Sequence, residues 1–180
     1  MTFYLQIIWL FLPVGIANIF ASLSRHLFPQ LDYPLDFGKT FRGRRIFGSH
    51  KTWRGLIVGL AAAFLFFLWQ KYLYNSYPSI RSFSLIDYNS VNTLIGLIMG
   101  LGAIIGDAIK SFFKRQFNIA PGYPWFPFDQ LDFVVGGVLL SWPFIPVSVN
   151  VILVAILLGL LFHLLFKILG HILRVDKTLI

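Results

Sequence analysis

The chain has 180 residues, of which 57% are hydrophobic and only 12% charged, and its mean hydropathy is +0.76. Soluble domains carry roughly 25% charged residues and a chain of this size buries only about 70% of its unfolded surface, so the composition excludes an ordinary water-soluble fold. A formal charge of +8 without a single cysteine excludes disulfides and thiolate metal sites, and points to anionic partners.

The first apolar run, residues 3–21, has no basic residue before it. That pattern argues for a retained first span rather than a cleaved signal peptide. A polar segment follows, Asp36-Phe37-Gly38-Lys39-Thr40-Phe41-Arg42-Gly43-Arg44-Arg45-Ile46-Phe47-Gly48-Ser49-His50-Lys51-Thr52-Trp53-Arg54-Gly55. Topogenic charge alone would account for its six basic residues. It would not account for Gly38, Gly43, Gly48 and Gly55, which let a backbone bend closely around an anion. Lys51 and Arg54 also adjoin the start of the next helix, where free N–H groups favour phosphate. Phosphate binding is therefore preferred to bland topology for this segment.

The second and third spans are expected over residues 55–73 and 91–109, each near the ~20 residues that cross the hydrocarbon. If the third helix continues, Asp107, Lys110, Ser111 and Lys114 share one face at i, i+3, i+4 and i+7. A carboxylate within a membrane helix is costly unless it faces a polar interior with a partner, which makes Asp107 a functional candidate. The structural alternative is a simple pair with Lys110 or Ser111.

Next comes Pro124-Trp125-Phe126-Pro127-Phe128-Asp129-Gln130-Leu131-Asp132-Phe133. A helical start puts Asp129 and Asp132 on one face, where like charges repel unless a cation lies between them. Helix capping explains one aspartate better than two. Together with Asp107 they supply three hard oxygen ligands, which suit Mg²⁺ rather than zinc. The apolar run 133–147 is short and contains Pro143 and Pro146. It reads as a fourth span rather than a re-entrant segment.

The last span covers residues 151–169, with His163, Lys167 and His171 at intervals of four, read as a polar stripe inside the bundle or snorkelling to the interface. Trp9, Trp69, Tyr72, Tyr74, Trp125 and Trp142 are expected in interfacial belts. With the N-terminus outside, seven Lys/Arg between Arg25 and Arg54 face the cytoplasm. Lys110, Lys114 and Arg115 add three, and Lys167, Arg174 and Lys177 three more, against only Lys71 and Arg81 outside. The positive-inside rule thus supports five spans, an internal C-terminus and a single all-α membrane domain over residues 1–180. Basic loops beside apolar runs favour a membrane surface or an anionic substrate over nucleic acid.

Three segments resemble the prokaryotic CDP-archaeol synthases, relatives of the CDP-diacylglycerol synthases. Arg44-Arg45-Ile46-Phe47-Gly48-Ser49-His50-Lys51-Thr52-Trp53-Arg54-Gly55 is similar to that family's Lys-Thr-Trp-x-Gly loop. Gly106-Asp107, Ser111, Lys114-Arg115 and Phe128-Asp129-Gln130-Leu131-Asp132 resemble the Gly-Asp…Ser-x-x-Lys-Arg…Asp-Arg-x-Asp signature of the wider cytidylyltransferases. Pro121-Gly122-Tyr123-Pro124-Trp125 stands where the diacylglycerol enzymes have Lys-Asp and His-Gly-Gly elements, which favours the archaeol branch.

The resemblance implies CTP plus a glycerolipid phosphate giving CDP-lipid and pyrophosphate at the cytoplasmic face. Asp107, Asp129 and Asp132 would then hold Mg²⁺, and Lys114 and Arg115 would neutralise charge at the reacting phosphates. Lys39, Arg44, His50, Lys51 and Arg54 would clamp phosphate, and Ser111 would orient an aspartate or a water. The alternatives are a CDP-diacylglycerol synthase acting on phosphatidic acid, an ion- or proton-coupled transporter using Asp107, and a non-catalytic membrane scaffold.

Overall fold

The computed structural model describes residues 1–120 and 123–172. Pro121, Gly122, Arg174 and Lys177, and the side chains of Lys167 and His171, lie outside the described residues. The chain is helical: α1 (Thr2–Leu27), α2 (Trp53–Ser76), α3 (Pro78–Phe83), α4 (Ile95–Gln116), α5 (Phe128–Ser141) and α6 (Val149–Ile172). A two-stranded ribbon, β1 (Thr40–Phe41) and β2 (Arg44–Arg45), lies between α1 and α2.

By length and hydropathy, α1, α2 and α4 can each cross a membrane, and α6 is apolar over Val149–Leu165. Large apolar side chains such as Ile57, Leu65, Leu153, Leu157 and Leu161 are exposed on the outer faces. Water does not tolerate so much contiguous apolar surface, whereas lipid does. The molecule is an all-α, polytopic membrane protein.

Two helix ends differ from expectation. α4 starts at Ile95, after a turn in which the Asn92 side chain accepts from the Leu94 N–H at 2.9 Å. It runs on to Gln116, so Asp107, Lys110, Ser111 and Lys114 do share one continuous helix. α5 begins at Phe128 and ends at Ser141, where a 3₁₀ turn over Trp142–Phe144 takes up Pro143. Tyr74 does not belong to a belt. It is buried, with its ring 5.5 Å from that of Tyr88.

The core follows from small residues at helix crossings. Ala17 on α1, Ala63 on α2, and Met99 and Ala103 on α4 are fully buried. Gly102 and Gly106 of α4 face Gly136 of α5 so closely that a Cβ at any of the three would overlap the partner backbone. This Gly-x-x-x-Gly surface replaces the hydrophobic effect, which cannot drive association between helices in lipid. Its consequence is chemical: it brings the backbone at Asp132 against that at Gly106, next to Asp107.

Candidate active site

Residues 36–52 form a loop closed at its base by the chain itself. Leu35 N–H donates to the Lys51 carbonyl at 2.7 Å and Trp53 N–H to the Tyr33 carbonyl at 2.9 Å. Within it, Arg42 and Gly43 both have positive φ, +51° and +76°, the conformation of a tight two-residue hairpin turn. That turn pairs Thr40 with Arg45 and Phe41 with Arg44.

The centre of this basic loop is an anion, but one the chain supplies. The Asp36 side chain is 0% exposed. It accepts from the N–H groups of Gly38 (3.0 Å), Phe47 (3.0 Å) and Gly48 (3.1 Å), and from Arg45 at 2.6 and 3.2 Å. Burial raises the Asp36 pKa, but the Arg45 guanidinium and the three N–H groups outweigh it and hold the carboxyl well below the usual range. Gly38 and Gly48 adopt φ of +80° and +90°, which is how the backbone wraps this carboxylate. Gly55 serves differently, as a helical close-contact residue against Ala21 and Ser24 of α1.

The loop thereby fixes Lys51 immediately before α2, whose first turn is capped by Thr52 accepting from the Gly55 N–H. Lys51 reaches across to donate to Asp107 of α4. There the charged cluster begins. Lys110 Nζ lies 3.2 Å from Asp107 Oδ1, 3.0 Å from Asp129 Oδ1 and 2.6 Å from Asp132 Oδ2. Lys114 Nζ is 3.0 Å from both Asp129 oxygens and donates to the Tyr123 carbonyl at 2.6 Å. Asp129 also accepts from the Trp125 N–H at 2.7 Å, and Asp132 from its neighbour Phe133 at 2.6 Å. Three carboxylates face three ammonium groups, so the cluster is neutral at an end of the bundle where bare charges would be costly.

Sequence reasoning put Lys110 on the correct face and offered it as a structural partner of Asp107, a pair present at 3.2 Å, but gave it no part in the site and did not single out Asp36. Asp36 is the lone acid of the basic segment 36–55, and Lys110 sits among basic neighbours in sequence while its three carboxylates come from two helices. The signal that was available is Gly102-x-x-x-Gly106, which marks where α4 and α5 meet.

Two cavities adjoin the cluster. The polar one, about 630 Å³, is lined by His50, Lys51 and Arg54 from the loop side and by Asp107, Lys110 and Asp132 from the helices. Arg54 is also held by Asp32 at 2.9 Å and by the carbonyls of Phe28 and Pro29. The second cavity, about 920 Å³, is lined largely by apolar residues of α1, α5 and α6. Both are bordered by Lys110 and Asp129.

Four of the expected residues line neither cavity. Lys39 is exposed on the loop. Arg44 donates to the Gln116 carbonyl and so ties the ribbon to the end of α4. Arg115 lies beneath Gly48, its Nε buried without a hydrogen-bond partner. Ser111 is buried within α4.

Among the described residues no three acidic or histidine side chains are grouped to enclose a metal ion unaided. The three carboxylates converge instead on the Lys110 ammonium. Their donor chemistry fits Mg²⁺, being hard oxygen throughout and already arranged around a cation.

Residues 1–179 match the family described as CarS-like, CDP-archaeol synthase. The chain belongs to this CDP-archaeol synthase family. It is 38% identical over 140 residues to the CDP-archaeol synthase of Pyrococcus furiosus, covering 77% of this chain and 75% of that one. It is 31% identical over 176 residues to the CDP-archaeol synthase of Pyrobaculum islandicum, covering 97% and 96%. A solved intramembrane enzyme for archaeal membrane lipid biosynthesis is 30% identical, with a TM-score of 0.71, and the match covers 91% of this chain and 94% of that one. The expected family and helical membrane architecture are both found, and the reaction class is a CTP-dependent cytidylyl transfer of membrane lipid synthesis. The transporter and scaffold readings fall away with the family assignment.

Proposed function

We propose that the chain transfers the cytidylyl group of CTP to the phosphate of an archaeol-type glycerol phosphate with unsaturated isoprenoid ether chains. The observation that carries this reading is the meeting of a polar and an apolar cavity at Lys110 and Asp129. A nucleoside triphosphate and an apolar chain need opposite surroundings, and the reaction needs their phosphates side by side.

In the reaction a lipid phosphate oxygen attacks the α-phosphorus of CTP. A new P–O bond forms, the bond to the β-phosphate breaks and pyrophosphate leaves. The lipid phosphate needs no dedicated base, since the second pKa of such a monoester is about 6. The protein's part is placement and charge stabilisation. Lys51 and Lys110, with His50 at the cavity wall, take the triphosphate. Lys114 lies across the shared border at Asp129 and neutralises charge on the phosphates that react there.

Asp107, Asp129 and Asp132 would hold Mg²⁺, which supplies Lewis-acid polarisation of phosphate oxygens when bound. The ammonium groups that fill the cluster now are then available to the substrate phosphates. Arg54, in the first turn of α2, holds the segment that follows α1 through Asp32 and the Phe28 and Pro29 carbonyls, and Arg44 and Arg115 brace the loop against α4, so these arginines act on positioning. The active site faces the cytoplasm, with the N-terminus outside and the C-terminus inside. In favour of that orientation, the basic residues gather at the end of the bundle that holds the cavity.

The test is pyrophosphate release by purified protein with CTP, Mg²⁺ and either an archaeol-type glycerol phosphate or phosphatidic acid. Turnover with the ether lipid, abolished by EDTA, is expected. Turnover with phosphatidic acid alone would overturn the lipid assignment, and undiminished turnover in EDTA would overturn the metal. Orientation is checked by single cysteines in the cysteine-free chain: from outside, an impermeant reagent should label S82C and spare S49C.

A further inference from the structure

The basic loop between α1 and α2 carries more positive charge than the site uses. Arg45, Lys51 and Arg54 each meet a carboxylate, that of Asp36, Asp107 and Asp32 in turn. Lys39 and Arg42 are exposed and form no ion pair among the described residues. From Phe37 to Lys51 the sequence has no acidic residue at all. Two phenylalanines alternate with these free charges and are exposed as well, Phe37 to 67% and Phe41 to 46%. Clustered apolar side chains left open in this way mark a surface that something covers.

Each ring abuts the end of an outward-facing apolar row. Phe37 lies 6.0 Å, ring to ring, from Trp53, which starts the exposed row Trp53, Ile57 and Leu65 of α2. Phe41 lies 5.8 Å from Phe112, and Phe112 lies 5.5 Å from Phe113. Phe113 closes the exposed row Ile105, Ile109 and Phe113 of α4. Side chains at multiples of four share a helix face, and in a membrane protein such exposed apolar faces meet lipid. The loop thus lies along the flank of the bundle, where the hydrocarbon gives way to headgroups.

We infer that Phe37, Lys39, Phe41 and Arg42 form a contact surface for the anionic headgroups of the surrounding bilayer, separate from the substrate site. None of the four lines the polar cavity. The two rings continue the α2 and α4 rows into the boundary between chains and headgroups, and the Lys39 ammonium and Arg42 guanidinium stand at the level of the lipid phosphates. The Arg42 guanidinium is held 5.4 Å from the centroid of the Phe41 ring, so apolar and cationic groups are presented together. A free nucleotide would engage the charges and leave both rings in water. An anionic bilayer engages both.

Because the chain lacks cysteine, a single T40C places an environment-sensitive fluorophore at an exposed position of the ribbon, between the two rings. The protein is reconstituted in nanodiscs of phosphatidylcholine alone or mixed with phosphatidylglycerol, each doped with lipid carrying a nitroxide at its headgroup. Quenching should be at least ~3-fold stronger in the anionic discs and should weaken in high salt, which screens headgroup attraction. Neutralising both charges in K39Q/R42Q should lower quenching in the anionic discs to the neutral level, whereas K39R/R42K should retain it. A label at S49C, on the same loop but at the polar cavity, should be quenched weakly and equally in both discs.

Equal T40C quenching in neutral and anionic discs, or quenching indifferent to K39Q/R42Q, overturns the inference. No quenching in either disc would leave the surface to a partner approaching from water, which overturns it as well. The readout needs no turnover, so it stands or falls apart from the proposed reaction.

Discussion

The loop between α1 and α2 and the contact between α4 and α5 are electrostatic opposites built on one plan. The loop is basic, and its centre is the buried Asp36, wrapped by Arg45 and three N–H groups. The helix contact gathers three carboxylates, and its centre is Lys110. In each region one charged side chain draws several partners to itself. A group of like charges cannot be fixed in a low-dielectric setting without a partner, and removing the partner costs more than the pair itself contributes. The difference lies in permanence. The Asp36 site is covalently local and closed, whereas the Lys110 site borders two cavities and is open to substrates.

That contrast is sharpest at the carboxylates. Asp107→Asn and Asp132→Asn should each lower kcat by at least ~10²-fold, as expected for groups that stabilise charge in the transition state. Folded variants with full activity, checked by pyrophosphate release, would break the assignment of the open cluster to catalysis.

Lys110→Met leaves three carboxylates without their shared counter-ion. It should lower thermal stability by about 3–5 kcal/mol, and Mg²⁺ without nucleotide should restore more stability to this variant than to the wild type. A thermal scan with and without Mg²⁺ checks it. Equal Mg²⁺ effects would show that Lys110 does not occupy a cation position.

At the closed site, Asp36→Asn should cost about 2–3 kcal/mol of local loop stability, the scale for hydrogen bonds to a charged group. The pH dependence has a defined sign. Because the folded Asp36 pKa is depressed, its stabilisation is full above the ordinary carboxylate pKa near ~4 and is lost as pH falls below it. The protection of the Phe47 and Gly48 amides, relative to their intrinsic exchange, should fall on acidification in the wild type and show no such trend in the variant. A smaller effect is expected where α4 meets α5. Gly106→Ala would press on the Asp132 carbonyl and cost about 1–3 kcal/mol, lowering kcat through the displaced carboxylate. Lys39→Ala, at an exposed position outside the cavity, should change KM for CTP less than 2-fold, within the range of ordinary surface substitutions.

The sequence by itself determined the membrane class, the helical architecture and the family. These rest on properties that add along the chain: runs of apolar residues, loop charge and short motifs such as Gly48-Ser49-His50-Lys51-Thr52-Trp53. It also put Asp107, Lys110 and Lys114 on one face, because the helical period is local. Tertiary structure decided which charges meet. The close Gly102–Gly106 contact with Gly136 sets Asp129 and Asp132 against Lys110, and the closure of residues 33–35 on 51–53 delivers Lys51 to Asp107. It also turned Arg44 to the end of α4 and Arg115 beneath the loop, away from the cavity the motif suggested. Spacing fixes the face a residue occupies, but pairing energy in a low-dielectric interior depends on separation through space, and that is set only when helices distant in sequence pack.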